Sequence, residues 1–249
     1  MPNWVKNTVA LKGTKQQMTK LFSQVADVKT WEDVKNNIDT FEFKLKLSMR
    51  SFLPMPQTFL DWDTTNSMKR FERFCEGKNQ SQEELVQEYE KYVRGYLDAC
   101  RYQKKTYGCV GWFDYNKKTL GCKWDANLFN WTITIEDELE KDDIVIVYFS
   151  VETAWSIPIP FLQYLATFVN VVVLSDEEAN FFHSIIDINK DVEVKDIAQD
   201  INNLYKKFQQ ENEEVDEDEW WDDYKCEEDV LTDAFKEEFY QYVIDLEIS

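Results

Sequence analysis

The stretch Ile144-Val-Ile-Val-Tyr-Phe-Ser150, followed by Thr153-Ala-Trp-Ser-Ile-Pro-Ile-Pro160, Phe161-Leu-Gln-Tyr-Leu-Ala-Thr-Phe168 and Val169-Asn-Val-Val-Val-Leu174, decides the fold. The short apolar runs at its two ends, rich in β-branched residues, read as buried strands. Between them, Pro158 and Pro160 suit the first turn of a helix, where a missing N–H leaves no hydrogen bond unmade. Leu162, Leu165 and Phe168 give that helix a buried face. Strand, crossover helix and strand make a βαβ unit, whose hand within one sheet is almost always right. Ser175 and Glu178 then form a capping-box pattern ahead of Phe182, Ile185 and Ile186, which predicts a further helix.

Working outward, the N-terminal part repeats the same plan. Trp4-Val-Lys-Asn-Thr-Val-Ala-Leu11 is β-rich, and Gly13 closes it. Thr14 and Gln17 make a capping box ahead of Met18, Leu21, Phe22, Val25 and Ala26, the spacing of an amphipathic helix. Phe41, Phe43, Leu45 and Leu47 alternate with Glu42, Lys44 and Lys46, as in a strand with one buried and one wet face. The Leu53-Pro-Met-Pro56 turn ends it. Residues 67–76 and a longer helix from Ser81, carrying Leu85, Tyr89, Tyr92, Val93, Tyr96 and Cys100 on one side, read as a helical insertion at about 57–105. The Tyr107–Asn116 segment is aromatic and turn-rich. Trp131 to Ile135 alternates as a strand able to form a hairpin with Ile144–Ser150.

The fold class expected is therefore α+β. One ferredoxin-like antiparallel sheet of four strands carries crossover helices over residues 1–186, with Phe43, Leu45, Val147, Phe149 and Val172 in its core. Residues 187–249 form an acidic, mainly helical C-terminal extension. Within it, Ile197, Ile201, Leu204, Tyr205 and Phe208 mark one helix, and Leu231, Phe235, Phe239, Tyr242 and Leu246 mark a closing one, with the final eight residues able to pair as a strand instead.

Composition narrows the function classes. The 249 residues are 43% hydrophobic and 15% aromatic with only 6 Gly and 5 Pro, so the chain is globular and holds little linker. No apolar run approaches the roughly 20 residues of a membrane span, and a cytoplasmic protein is expected. Five cysteines without a CxxC pair provide neither a disulfide framework nor a zinc or iron–sulfur site. The net charge of −20 is unevenly placed: residues 1–50 carry +4, residues 176–249 carry −19, and the 125 residues between them carry −5. A segment with that density of carboxylates does not seek a phosphate backbone.

Catalytic and cofactor signatures are sparse. There is no Walker A string and no GxGxxG. His183 is the single histidine, which rules out a histidine metal centre and leaves one residue for any triad; a helix-packing role is expected of it. No cofactor and no catalytic residue is expected. Asp216, Glu217 and Asp218 lack the glycine turn of an EF-hand loop. Lys123, beside Trp124 and Asp125, is positioned to present a cation and a carboxylate in a cleft lined by Trp112 and Trp155.

Several segments, taken in order, resemble one family. Met1-Pro-Asn-Trp4 with Asn7 and Gly13, Leu53-Pro-Met-Pro56, Trp112-Phe-Asp-Tyr-Asn116, Gly121-Cys-Lys-Trp-Asp125, and Thr153-Ala-Trp-Ser156 with Pro158 are similar to the YubB ferredoxin-like domain family of bacteriophages, plasmids and integrated mobile elements. Leu120 and Cys122 stand where that family usually has Trp and Thr. The resemblance spans residues 1 to about 186 and implies the fold and a mobile-element origin in a bacterial host. It implies no activity.

Two functions are expected from these features. The first is a non-enzymatic binder that inhibits a basic, nucleic-acid-handling host defence protein, such as a CRISPR nuclease or restriction enzyme, through a DNA-mimicking acidic surface. Glu211 to Asp223 holds 9 acidic residues in 13, and the expected contacts are Glu213, Glu214, Asp216, Glu217, Asp218, Glu219, Trp220, Trp221, Asp222, Asp223 and Tyr224. A solvated tail has little use for clustered aromatics, whereas interfaces concentrate them as anchors. The alternative is a module that binds single-stranded nucleic acid or a nucleotide on the ferredoxin-like sheet, with aromatic side chains stacking on bases.

Overall fold

The computed structural model describes residues 3–40, 47–62, 82–134, 143–177, 182–188, 236–237 and 239–246. Strand β1 (Trp4–Thr14) is the axis of the sheet, pairing antiparallel with β3 (Ile144–Ala154) on one side and β4 (Asn170–Glu177) on the other. Strands β3 and β4 are thus parallel to each other with β1 between them. They are joined by helix α7 (Ile159–Leu165), whose first turn holds Pro160 after the cap residue Pro158. Adding β2 (Leu128–Thr134) beside β3 gives the order β2-β3-β1-β4, the ferredoxin-like arrangement expected of the α+β class.

A fifth strand, β5 (Phe182–Ile188), extends this sheet beyond β4 and corrects two expectations, the sheet of four strands and the helix after Ser175. Ser175 cannot cap a helix because its hydroxyl donates to Asn7 Oδ1 at 2.8 Å in the sheet interior. Asn7 in turn donates to Val5 O, Val151 O and Thr153 Oγ1, so one buried amide ties the three central strands in register. Beyond the turn, Ser184, Ile186 and Ile188 fall on one face and Ile185 and Asp187 on the other, all buried. The period is 2, not 3.6.

One sheet face is sealed by helices. Helices α1 (Lys15–Phe22), α2 (Trp31–Asp39) and α7 pack Met18, Leu21, Phe22, Val34, Ile38, Phe161 and Leu165 on Val9, Leu11, Val147, Phe149, Val171 and Val173. The Thr14–Gln17 capping box that starts α1 is formed in both directions, at 2.8 and 3.2 Å. Trp131 stacks on Phe149 with ring centroids 4.7 Å apart, and the bulge between Phe129 and Thr132 turns it inward.

The opposite face is covered differently. Helical residues 239–245 lay Phe239 and Val243, both fully buried, on Ala10, Ile146, Tyr148, Val172 and Ile185. Lys12, only 3% exposed, donates through Nζ to the carbonyls of Val243 and Ile244 at that helix's C-terminal end, where a cation complements the helix dipole. Tyr242 donates to Asp187 Oδ2 at 2.8 Å, and burial pushes its phenol up to about 12. Val147, Phe149 and Val172 are in the core as expected, though Val172 belongs to this second face.

Before β2 the described residues form four more helices, α3 (Met49–Phe52), α4 (Gln57–Asp61), α5 (Gln82–Tyr107) and α6 (Gly111–Thr119). Helix α6 takes up residues 111–116 of the turn-rich segment expected at Tyr107–Asn116. Phe59 of α4 lies 4.5 Å from Tyr115 and 5.2 Å from Tyr107, and the buried Gln103 side chain bonds Thr58 O and Gly111 N. The strand expected at Phe41, Phe43 and Leu45 lies outside the described residues. Leu47, at its end, is buried and accepts from Leu128 N. The helices expected at 67–76 and 197–208 also lie outside them.

Candidate functional site

The segments that carry the family resemblance converge in space. Arg50 is the hub: its backbone N–H donates to Asp125 Oδ1 at 3.0 Å, and its guanidinium donates to Leu53 O, Asn116 Oδ1 and Thr119 Oγ1 and lies 5.0 Å from the Tyr115 ring centre. Asn116 donates to Lys123 O, Ser156 donates to Gly121 O, and Trp155 N donates to Asn3 O at 2.9 Å. Gly121 is required where it stands, since its φ is +83° and a Cβ there would meet Pro160 Cδ at 2.5 Å. Residues 3, 50–53, 116–125 and 155–156, four stretches far apart in sequence, are therefore held by side-chain bonds, most of them to backbone groups, and by one backbone bond. That is a means of fixing loops where regular structure cannot.

What they hold is a row of tryptophans in solvent. Trp4, Trp124 and Trp155 are 42%, 38% and 50% exposed. Trp124 is central, 6.5 Å from Trp4 and 5.3 Å from Trp155 between ring centres, each pair inclined at 34°. Trp155 has φ +65°, a left-handed conformation that costs a bulky residue about 1–3 kcal/mol. Thr153 and Ser156 brace that turn, with Thr153 Oγ1 donating to Ser156 O at 2.7 Å. Strain spent on keeping an indole in water is strain without a packing return. Such outliers cluster at functional sites.

Lys123 completes the group. Its Nζ lies 4.5 Å from the ring centre of Trp124, 5.4 Å from Trp155 and 5.8 Å from Phe113, whose other neighbour is Lys117 Nζ at 4.6 Å. Asp125 turns its carboxylate to the Arg50 backbone rather than to Lys123. Trp112 sits in the first turn of α6 with its ring against Phe113. The structure thus brings Lys123, Trp124 and Trp155 together and adds Trp4 and Phe113, which sequence reading had not placed there. Cys122 packs beneath, its thiol pushed up to about 12 by burial and bonded to Trp124 O.

The remaining expected site residues, Glu213, Glu214, Asp216 to Asp223 and Tyr224, lie outside the described residues. His183 stands in β5 opposite Asp176, not on a helix as expected. Among the described residues no group of three His, Cys, Asp or Glu side chains is placed to hold a metal ion, and no helix is long and apolar enough to cross a membrane.

No family model and no curated protein matches the chain. Among solved structures it is similar to protein api92 from Yersinia pseudotuberculosis, of family DUF1281, at 10% identity and a TM-score of 0.35, over 79% of this chain and 97% of that one.

Proposed function

We propose that the protein is a non-enzymatic binder made by a phage or other mobile element, acting in the cytoplasm of a bacterial host. Its acidic C-terminal segment occupies the Lys/Arg groove of a basic, nucleic-acid-handling defence protein of the CRISPR or restriction type. The observation that carries this reading is the charge asymmetry, −19 over residues 176–249 against −1 over all the rest. Duplex DNA presents a dense, regular array of negative charge, and an array of carboxylates competes for the same cationic surface. The anchoring of the segment supports it. Strand β5 ends at Ile188 on the sheet edge, and helical residues 239–245 are docked on the same sheet by Phe239, Val243 and Lys12, so both described neighbours of the acidic stretch in sequence belong to one sheet. The alternative, single-stranded nucleic acid on the sheet, needs a face that the C-terminal helix already covers over Ala10, Ile146, Tyr148 and Val172.

The experiment is capture from a bacterial lysate with the full chain, followed by assay of the captured protein's nuclease activity. Recovery and inhibition of a nuclease by wild type, but not by a chain with Asp216→Asn, Glu217→Gln, Asp218→Asn and Glu219→Gln, is the expected result. Equal capture by both refutes the acidic contact. Inhibition retained in His183→Ala is expected of a non-enzymatic inhibitor, and its loss in a folded variant contradicts that part.

A further inference from the structure

We infer that the exposed row Trp4, Trp124 and Trp155, with Lys123 beside it and Lys117 on the neighbouring Phe113 ring, is a binding surface for single-stranded nucleic acid, distinct from the sheet face that the C-terminal helix covers.

Three observations carry this. The indoles are held in water by design of the chain: Trp155 occupies a left-handed backbone position, and Arg50, Asn116, Gly121 and Ser156 fix the loops that present Trp124 and Trp155. The rings lie at centre spacings of 5.3 and 6.5 Å with an inclination of 34°, and each remains partly exposed to solvent. Every base has a π-face, so stacking of this kind is indifferent to sequence.

The second observation is charge. Residues 101–124 contain Arg101, Lys104, Lys105, Lys117, Lys118 and Lys123 against Asp114 alone, which is +5 within a chain of −20. Arg101 pairs with Asp98, but among the described residues none of the five lysines is in an ion pair. Lys123 borders the indoles directly, over Trp124 and Trp155, and Lys117 lies on the Phe113 ring that Lys123 also meets. Lys104 and Lys118 are turned to the carbonyls of Gly108 and Tyr107, which leaves Lys123 and Lys117 as the cations beside the exposed rings, and rings with adjacent cations are what a strand of bases and phosphates requires.

The third is the shape of the alternatives. An enclosed small-molecule site would bury its aromatic rings, and these are 38–50% exposed. Duplex nucleic acid keeps its base faces stacked inside and has nothing to lay on an indole shelf. The extended strand is the partner that uses both the rings and the cations.

The test is titration of the full-length protein with an oligothymidylate of about 12 nucleotides, read by quenching of tryptophan fluorescence and by anisotropy of a labelled strand. Quenching on binding is expected, with weaker binding as salt rises and none of this with the matching duplex. Trp124→Ala and Trp155→Ala each should weaken binding by about tenfold, while Trp124→Phe keeps most of it. Lys123→Gln should shallow the salt dependence by roughly one phosphate contact, and this surface variant guards against loss of fold in the others. Absence of quenching by wild type overturns the inference, as does binding that is equal in Trp124→Ala and wild type. If the tryptophan variants bind the strand unchanged but lose the nuclease captured by wild type, the shelf is a protein interface and the inference is likewise wrong. Failure of the acidic-segment variants to affect capture bears on the proposed function alone.

Discussion

The two faces of the central sheet are covered by unequal means. On one, three helices bury a continuous cluster that includes Phe22, Phe149, Phe161, Leu165 and Trp131. On the other, a single helix contributes Phe239 and Val243, two carbonyls that accept from Lys12 of β1, and a tyrosine bonded to Asp187 of β5. The first face is the folding core. The second is a smaller cover, laid on the sheet by the helix that follows the acidic segment in sequence.

Breaking the first face should cost the most. Phe149 is 1% exposed and stacked on Trp131, so Phe149→Ala should lower global stability by about 3–5 kcal/mol in a denaturant titration, a large share of a domain's total. A loss below about 1 kcal/mol contradicts a shared core beneath three helices.

Phe239→Ala should act locally. The helix at 239–245 loses its largest buried side chain and hydrogen-exchange protection there falls, while the amides of β1, β3 and β4 stay protected. If exchange quickens equally throughout, the two faces form one cooperative unit and the contrast is false.

The smallest effect is one of pH. The Tyr242 phenol is raised from the ordinary value to about 12 by burial and by its bond to Asp187. A group whose folded pKa is raised contributes stability that is complete below its unfolded value of about 10 and is lost as pH rises through the folded one. Protection of the C-terminal helix should therefore fade between about pH 10 and 12, and Tyr242→Phe should abolish that titration. An identical alkaline transition in Tyr242→Phe would assign it to another group.

Much of the first face was legible in the sequence, because its signals are local. The Thr14–Gln17 box, the prolines of α7 and the apolar runs of β3 and β4 act within a few residues and fold as read. β5 was misread because Ser175 and Glu178 have capping-box spacing, and only the contact with Asn7, 168 positions away, decides the use of that hydroxyl. The tryptophan shelf was half legible. Lys123 and Trp124 are adjacent and Trp155 was paired with them, but Trp4 arrives through the β1–β3 register, and no local pattern announces that. Arg50 was missed for the same reason: it stands alone in sequence, and its partners Asn116 and Asp125 come from the far side of the insertion.

The central claim is that the acidic segment, and not the folded body, meets a basic nucleic-acid-handling protein. The most direct measurement is the affinity of the captured nuclease for wild type and for the chain carrying Asp216→Asn, Glu217→Gln, Asp218→Asn and Glu219→Gln, over a range of salt. Exposed charges are screened within about 10 Å at 0.1 M salt, so wild-type binding should weaken steeply with salt, and the neutralised chain should bind more weakly with a shallower dependence. Equal affinity and equal salt dependence for the two chains would contradict the account.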